Sequence, residues 1–231
     1  MLTIIKPSHH ILTPCQEILD MPSMLEQAGR TCYKSEDCIT DKSAEKFVRM
    51  ICRRNHVSVL EHCSISVRII CSRACSHQLV RHRILSISME SQRYCNYGTK
   101  GFQFIVPPVL GLIPGHYAYD EVGDWHLYPA EGEPVPTNAR QSVWLGTLAL
   151  DMCSYYYDED LKPEDARYLL PNAMKTELVV TMNLRMWRHV FQERALNPAA
   201  QWEIRSVFRG IFDDFRELLP CVFDDLKEVI T

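Results

Sequence analysis

The chain has 231 residues, 46% hydrophobic and 23% charged, with nine glycines and thirteen prolines. A chain this long buries roughly 70% of the surface its unfolded form exposes, and this composition excludes collagenous, low-complexity and disordered classes. Its 25 basic and 29 acidic residues give a formal net charge of -4, so no molecule-wide positive field exists to hold a nucleic-acid backbone, and any anion site is local.

Met1 to His10 reads as a short strand ending at Lys6 and Pro7, not as a secretion signal, and His9 and His10 are expected at the surface. No stretch reaches the roughly eighteen uncharged apolar residues of a membrane helix, so a cytoplasmic protein is expected. The ten cysteines, scattered from Cys15 to Cys221, are then expected as reduced thiols and mostly as small buried hydrophobes.

Residues Asp41 to Asn55 place Ala44, Phe47, Val48, Ile51 and Cys52 on one side of a helix and Lys46, Arg49 and Arg53 on the other. Cys63 to Cys71 alternates Ile65, Val67 and Ile69 with polar residues and predicts a strand with one apolar face. Ser72 then stands where an N-cap would, ahead of a helical run to Arg83. Thr99 to Asn138 holds six prolines and five glycines, which predicts mostly loop with a short strand at Phe102 to Val106. Helix dominates afterwards: Gln141 to Tyr157, a Pro163-initiated turn to Leu170, Leu184 to Arg194 and Ala199 to Leu218, with a β-favouring run at Glu177 to Met182 between them. Tyr155, Tyr156 and Tyr157 point in different directions on a helix and are expected to pack, not to form a stacking platform. Early strands and late helices predict one α/β or α+β domain over residues 1–231.

Arginine is crowded into two windows, Arg68 to Arg93 and Arg185 to Arg209, with few acids beside it in sequence. Guanidinium forks suit phosphate and carboxylate oxygens, and each hydrogen bond to a charged group contributes about 1.5–3 kcal/mol. Arg81, His82 and Arg83 are adjacent cationic or potentially cationic side chains that repel one another, so their placement together points to an anionic partner. On a helix Arg185, His189 and Gln192 share one face.

Arg81-His82-Arg83, seven residues and then Ser91 resembles the signature of the flavin-dependent thymidylate synthases. HVSVLEH from His56 to His62, AGRTCY from Ala28, and the later ARYLLP, MNLRMWRHVFQERA and AAQWEIR blocks resemble that family in the same order. The resemblance implies the thymidylate synthase-complementing protein fold, a central mixed sheet flanked by helices. It implies conversion of dUMP to dTMP with FAD, 5,10-methylenetetrahydrofolate as carbon donor and NADPH as reductant, in a homotetramer with shared active sites. Carried over by position, Gln78, Leu79, Val80, Arg81, Met89, Glu90, Ser91, Gln92, Arg93, Arg167 and Arg194 would bind dUMP, with Arg194 the activating residue. Ser58, Arg81, His82, Arg83, Met89, Asn183, Leu184, Arg185 and His189 would bind the flavin. The pattern departs at Met89, where the family often carries Glu or Gln and this chain has its acid one residue later, at Glu90. A second departure is the loop after Arg194, where Leu196-Asn197-Pro198 adds a residue. No metal is expected; the alternatives are a Cys/His metal-binding module, with Cys71, Cys75 and His77 or His56 and His62 as loose ligand candidates, whose basic windows contact nucleic acid or a phosphorylated partner, and a flavin- and folate-dependent methylase acting on uracil in RNA.

Overall fold

The computed structural model describes residues 1–97, 101–157 and 161–228. In chain order the strands are β1 (Leu2–Ile4), β2 (Ser8–Ile11), β3 (Ser64–Ser72), β4 (Ser86–Met89), β5 (Gln103–Phe104), β6 (Gly115–Tyr119), β7 (Trp125–Tyr128), β8 (Val135–Pro136) and β9 (Lys175–Asn183). The α-helices are α1 (Cys15–Tyr33), α2 (Ala44–Arg53), α3 (Arg73–Leu79), α4 (Ala139–Tyr157), α5 (Pro163–Ala166), α6 (Leu184–Val190), α7 (Trp202–Leu218) and α8 (Pro220–Phe223). They divide into two compact units, each discontinuous in sequence: Met1–Ser8, Ile70–His77 and Met89–Glu177 form the first, and His9–Ile69, Gln78–Ser88 and Leu178–Thr231 the second. The class is mixed α/β, as expected, but the strands are shared between two sheets.

The first unit is built on the five-stranded sheet β5-β1-β6-β7-β8. β1 runs parallel to β5 and antiparallel to β6, so the sheet is mixed. The stretch read as loop supplies four of these strands. Prolines and glycines mark its corners, while Tyr117, Trp125 and Leu127 alternate into the core between them. The β6–β7 turn is closed by the Asp120 carboxylate, which accepts the amides of Val122, Gly123 and Asp124 at 3.0, 2.9 and 2.9 Å. Gly123 sits there at φ 96°, a conformation that only glycine adopts without strain. The ring of Phe102 stacks near Phe104 at 6.3 Å and meets the edge of Tyr155 at 5.3 Å, tying α4 to the sheet. Positions 98–100 and the side chains of Tyr156 and Tyr157 lie outside the described residues.

The second unit holds most of the four-stranded sheet β2-β3-β9-β4. Ile65, Val67 and Ile69 on β3 and Leu178, Val180 and Met182 on β9 are buried, as their alternation predicts. Behind them Trp187, Phe191, Phe208, Phe215 and Phe223 form an aromatic core; the Trp187 and Phe215 rings are 5.0 Å apart and those of Phe191 and Phe223 5.5 Å. Burying each such ring contributes about 1.5–3 kcal/mol. The indole of Trp187 donates to the carbonyl of Ile65 at 3.1 Å, which fixes α6 against β3.

Several boundaries move. Ser72 caps α3 as predicted, its Oγ accepting the Cys75 amide at 3.1 Å. The helix nevertheless ends at Leu79, not Arg83, because the His82 amide turns back to the Leu79 carbonyl at 3.1 Å, and the chain enters the unforeseen strand β4. Helix 184–194 is α-helical only to Val190; Phe191–Ala195 is a π-helix. The helix expected from Ala199 starts at Trp202, where Gln201 Oε1 accepts the amides of Glu203 and Ile204. His9 is not a bare surface residue: it lies in β2 with Nε2 2.8 Å from Asp214 Oδ2. All ten cysteines are free, but only Cys52, Cys63, Cys71, Cys75 and Cys221 are buried; Cys15, Cys32, Cys38 and Cys153 are exposed. Among the described residues no helix is long and apolar enough to cross a membrane.

Candidate active site

The second unit contains a cavity of about 520 Å³ lined by Arg81, His82, Arg83 and Ile84 from the turn after α3, by Glu61, and by Asn183, Arg185, Met186 and His189 where β9 becomes α6. That volume is in the range of small-molecule sites, ~300–1,000 Å³. The junction is set by local chemistry. Asn183 ends the strand and caps the helix, its Oδ1 accepting the Met186 amide at 2.8 Å. The cap uses the amide oxygen, and the side-chain NH2 is a donor on a residue that lines the cavity. Arg185 and His189, four residues apart on α6, then share its cavity face. Arg185 Nη1 donates to Glu61 Oε1, so an acid from the 3-10 turn Val57–His62 holds one of the cations in place.

His82 lies edge-on to His189, ring centroids 5.9 Å apart. Burial, the charge of Arg194 and then His189 push its imidazole down to about 4, against a weaker opposing pull from Glu193, so His82 is neutral at pH 7. Its Nε2 faces Arg194 Nε at 3.1 Å. Arg194 is half-buried and sits on the π-helical turn, whose wider repeat is closed by the Leu196 amide on the Phe191 carbonyl at 2.9 Å. π-Turns inside helices are frequent at functional sites. After Val190 the α-helical spacing no longer holds, and Gln192, expected on the face of Arg185 and His189, is exposed and outside the cavity lining.

Six of the nine residues predicted for the flavin therefore surround one cavity: Arg81, His82, Arg83, Asn183, Arg185 and His189. The other three do not line it. Ser58 is exposed on the 3-10 turn, Leu184 has a fully buried side chain, and Met89 belongs to the first unit, where its Sδ receives Arg73 Nη1 at 3.6 Å. Of the residues predicted for dUMP, Gln78, Leu79, Val80, Arg81 and Arg194 lie in the second unit. Leu79 is fully buried, so its side chain is core and not a substrate contact, whereas Gln78 is half-buried and Val80 and Arg81 are exposed.

Met89, Glu90, Ser91, Gln92, Arg93 and Arg167 lie in the first unit. Glu90 forms an ion pair with Lys175, 2.8 Å, and Ser91 caps a turn by accepting the Arg93 amide at 3.3 Å. Glu164 gathers two of the predicted arginines: its Oε2 takes Arg93 Nε and Nη2 at 3.2 and 3.1 Å, and its carbonyl takes Arg167 Nε at 3.0 Å. Glu61 and Glu164 were not among the predicted site residues. Glu61 was visible inside HVSVLEH, whereas Glu164 carries no sequence signal, because its partner Arg93 is remote along the chain. Cys71 and Cys75 are buried, and among the described residues no group of three His, Cys, Asp or Glu side chains could hold a metal ion.

Residues 17–221 match the family described as Thymidylate synthase complementing protein. The chain is 33% identical over 221 residues to the flavin-dependent thymidylate synthase of Geobacter sulfurreducens, covering 91% of this chain and 84% of the relative. It is 31% identical over 217 residues to that of Pyrococcus furiosus, covering 93% and 78%. It also resembles the crystal structure of a UMP/dUMP methylase from Streptomyces cacaoi bound with 5-Br dUMP, with a TM-score of 0.67 at 20% identity over 96% of each chain, a likeness of fold. The extent of these matches and the arginine-lined cavity at the motif Arg81-His82-Arg83 agree: the chain belongs to the family of flavin-dependent thymidylate synthases.

Proposed function

We propose that this chain converts dUMP to dTMP by reductive methylation, using FAD, 5,10-methylenetetrahydrofolate as carbon donor and NADPH as reductant. The observation that carries the reading is the convergence of Arg81, His82, Arg83, Asn183, Arg185 and His189 on one cavity. Their chemistry fits a flavin nucleotide: three guanidinium groups suit pyrophosphate oxygens, an amide NH2 is free to donate, and Ile84 and Met186 offer apolar surface to a ring. The flavin, when bound, supplies the redox chemistry and the relay of the one-carbon unit.

The chain's own part is binding, orientation and electrostatics. Arg81, Arg83 and Arg185 hold the cofactor's anionic portion, while Arg194 binds the uracil ring of dUMP. A fixed positive charge beside that ring stabilises the negative charge it develops on losing a proton, and preorganised donors of this kind are worth about 10²–10³-fold in rate. By the family resemblance, the dUMP contacts besides Arg81 and Arg194 are Gln78, Val80, Met89, Glu90, Ser91, Gln92, Arg93 and Arg167. Ser58 and the backbone of Leu184 complete the flavin contacts, in a cytoplasmic homotetramer whose active sites draw on more than one subunit.

Tritium release from ring-labelled dUMP tests the reaction. Release that requires FAD, methylenetetrahydrofolate and NADPH together is expected; none under any combination, from folded and flavin-loaded protein, overturns it. Light scattering tests the assembly, and full activity from a monomer contradicts shared sites.

A further inference from the structure

The two cationic ends of the motif, Arg81 and Arg83, line the cavity, but the histidine between them also has a protein partner. Arginine has five N–H donors and no acceptor, so the 3.1 Å contact between Arg194 Nε and His82 Nε2 requires a lone pair on Nε2. The ring proton therefore sits on Nδ1. Among the described residues Arg194 forms no ion pair, whereas Arg185, Arg188, Arg93 and Arg209 each meet a carboxylate. Its charge is thus held in place by a neutral group that does not cancel it.

We infer that His82 is a positioning residue for Arg194: accepting the Nε–H fixes the guanidinium plane and leaves both terminal NH2 groups free to meet the substrate. The π-turn at Phe191–Ala195 supplies the backbone from which Arg194 makes this contact. His189 packs edge-on against the imidazole and limits its rotation. The burial and neighbouring cations that keep His82 uncharged preserve the acceptor across the neutral pH range. A misaimed guanidinium would still carry its charge but would lose its alignment, and misplacement by about 1 Å can cost a hundredfold in rate.

This inference rests on the reading that Arg194 meets dUMP, and its test separates the two. Two variants are compared in flavin-loaded protein: His82→Phe keeps a flat ring without an acceptor, and His82→Gln keeps an acceptor oxygen. Flavin content is measured by absorbance, kcat and KM for dUMP by tritium release, and the Arg194 Nε–H resonance by nitrogen–proton NMR, assigned by its loss in Arg194→Lys. At equal flavin content, His82→Phe is expected to lower kcat about a hundredfold, and His82→Gln to restore about tenfold of that loss. The Nε–H resonance should shift and exchange faster in His82→Phe than in His82→Gln. Equal kcat in the two variants, or an Nε–H resonance that neither disturbs, overturns the positioning role. If the resonance responds to His82→Phe while Arg194→Ala retains full turnover, the assignment of Arg194 to substrate has failed and the hydrogen bond has not.

Discussion

Arg188 and Arg194 lie six residues apart on one helical segment and have opposite surroundings. Arg188 donates to Asp225 through Nη1 and Nη2, at 2.6 and 2.8 Å, and to the Val222 carbonyl. Burial opposes its charge, but the hydrogen bonds and charge of Asp225 outweigh burial, and the guanidinium is held above its ordinary value. Among the described residues the side chain of Arg194 meets only a neutral imidazole. One arginine closes the C-terminal segment onto α6; the other keeps its charge available. The difference shows that arginine density in the sequence marks the region, and the partner each arginine finds decides its role.

The comparison breaks most visibly at Arg194. Arg194→Ala should cut tritium release by about 10²–10³-fold while flavin absorbance stays at the wild-type level. Next is the acid response of His82. A histidine held at about 4 stays neutral in the folded protein while the unfolded chain, near 6.5, takes up a proton. The contribution of His82 to stability is therefore level well above pH 6.5 and falls as pH drops toward 4. Urea unfolding at pH 7 and pH 4.5 should show His82→Gln losing less stability on acidification than the wild type.

Arg188→Ala should cost about 2 kcal/mol in urea unfolding, since Asp225 and the Val222 carbonyl lose charged hydrogen bonds, with turnover per folded molecule retained. The smallest effect is expected of Asn183→Ala, about 1 kcal/mol from loss of the α6 cap, read by thermal unfolding.

Much of this was legible in the residues. The buried faces of β3, β9 and α2 follow from alternation and helical spacing, because a half-buried element repeats its contact with the core. The motif around Arg81 and the run from Asn183 to His189 located the cavity. β4 was missed because Ser86 to Met89 is too short for its alternation to stand out. The β6–β7 hairpin was hidden by the prolines and glycines that bound it, although Tyr117, Trp125 and Leu127 carry the inward pattern. The π-turn leaves no spacing signal, because the five residues Phe191–Ala195 are too few to set a repeat of their own. Acid partners such as Asp225 for Arg188 and Glu164 for Arg93 are set only when distant segments meet.

The flavin-to-protein absorbance ratio of a variant carrying Arg81→Ala, Arg83→Ala and Arg185→Ala, with circular dichroism confirming its fold, tests the cavity assignment most directly. These side chains carry their charge at the cavity wall and contribute little to the core, so a folded, colourless variant beside a yellow wild type is predicted. A folded variant that retains the wild-type flavin ratio would contradict the account.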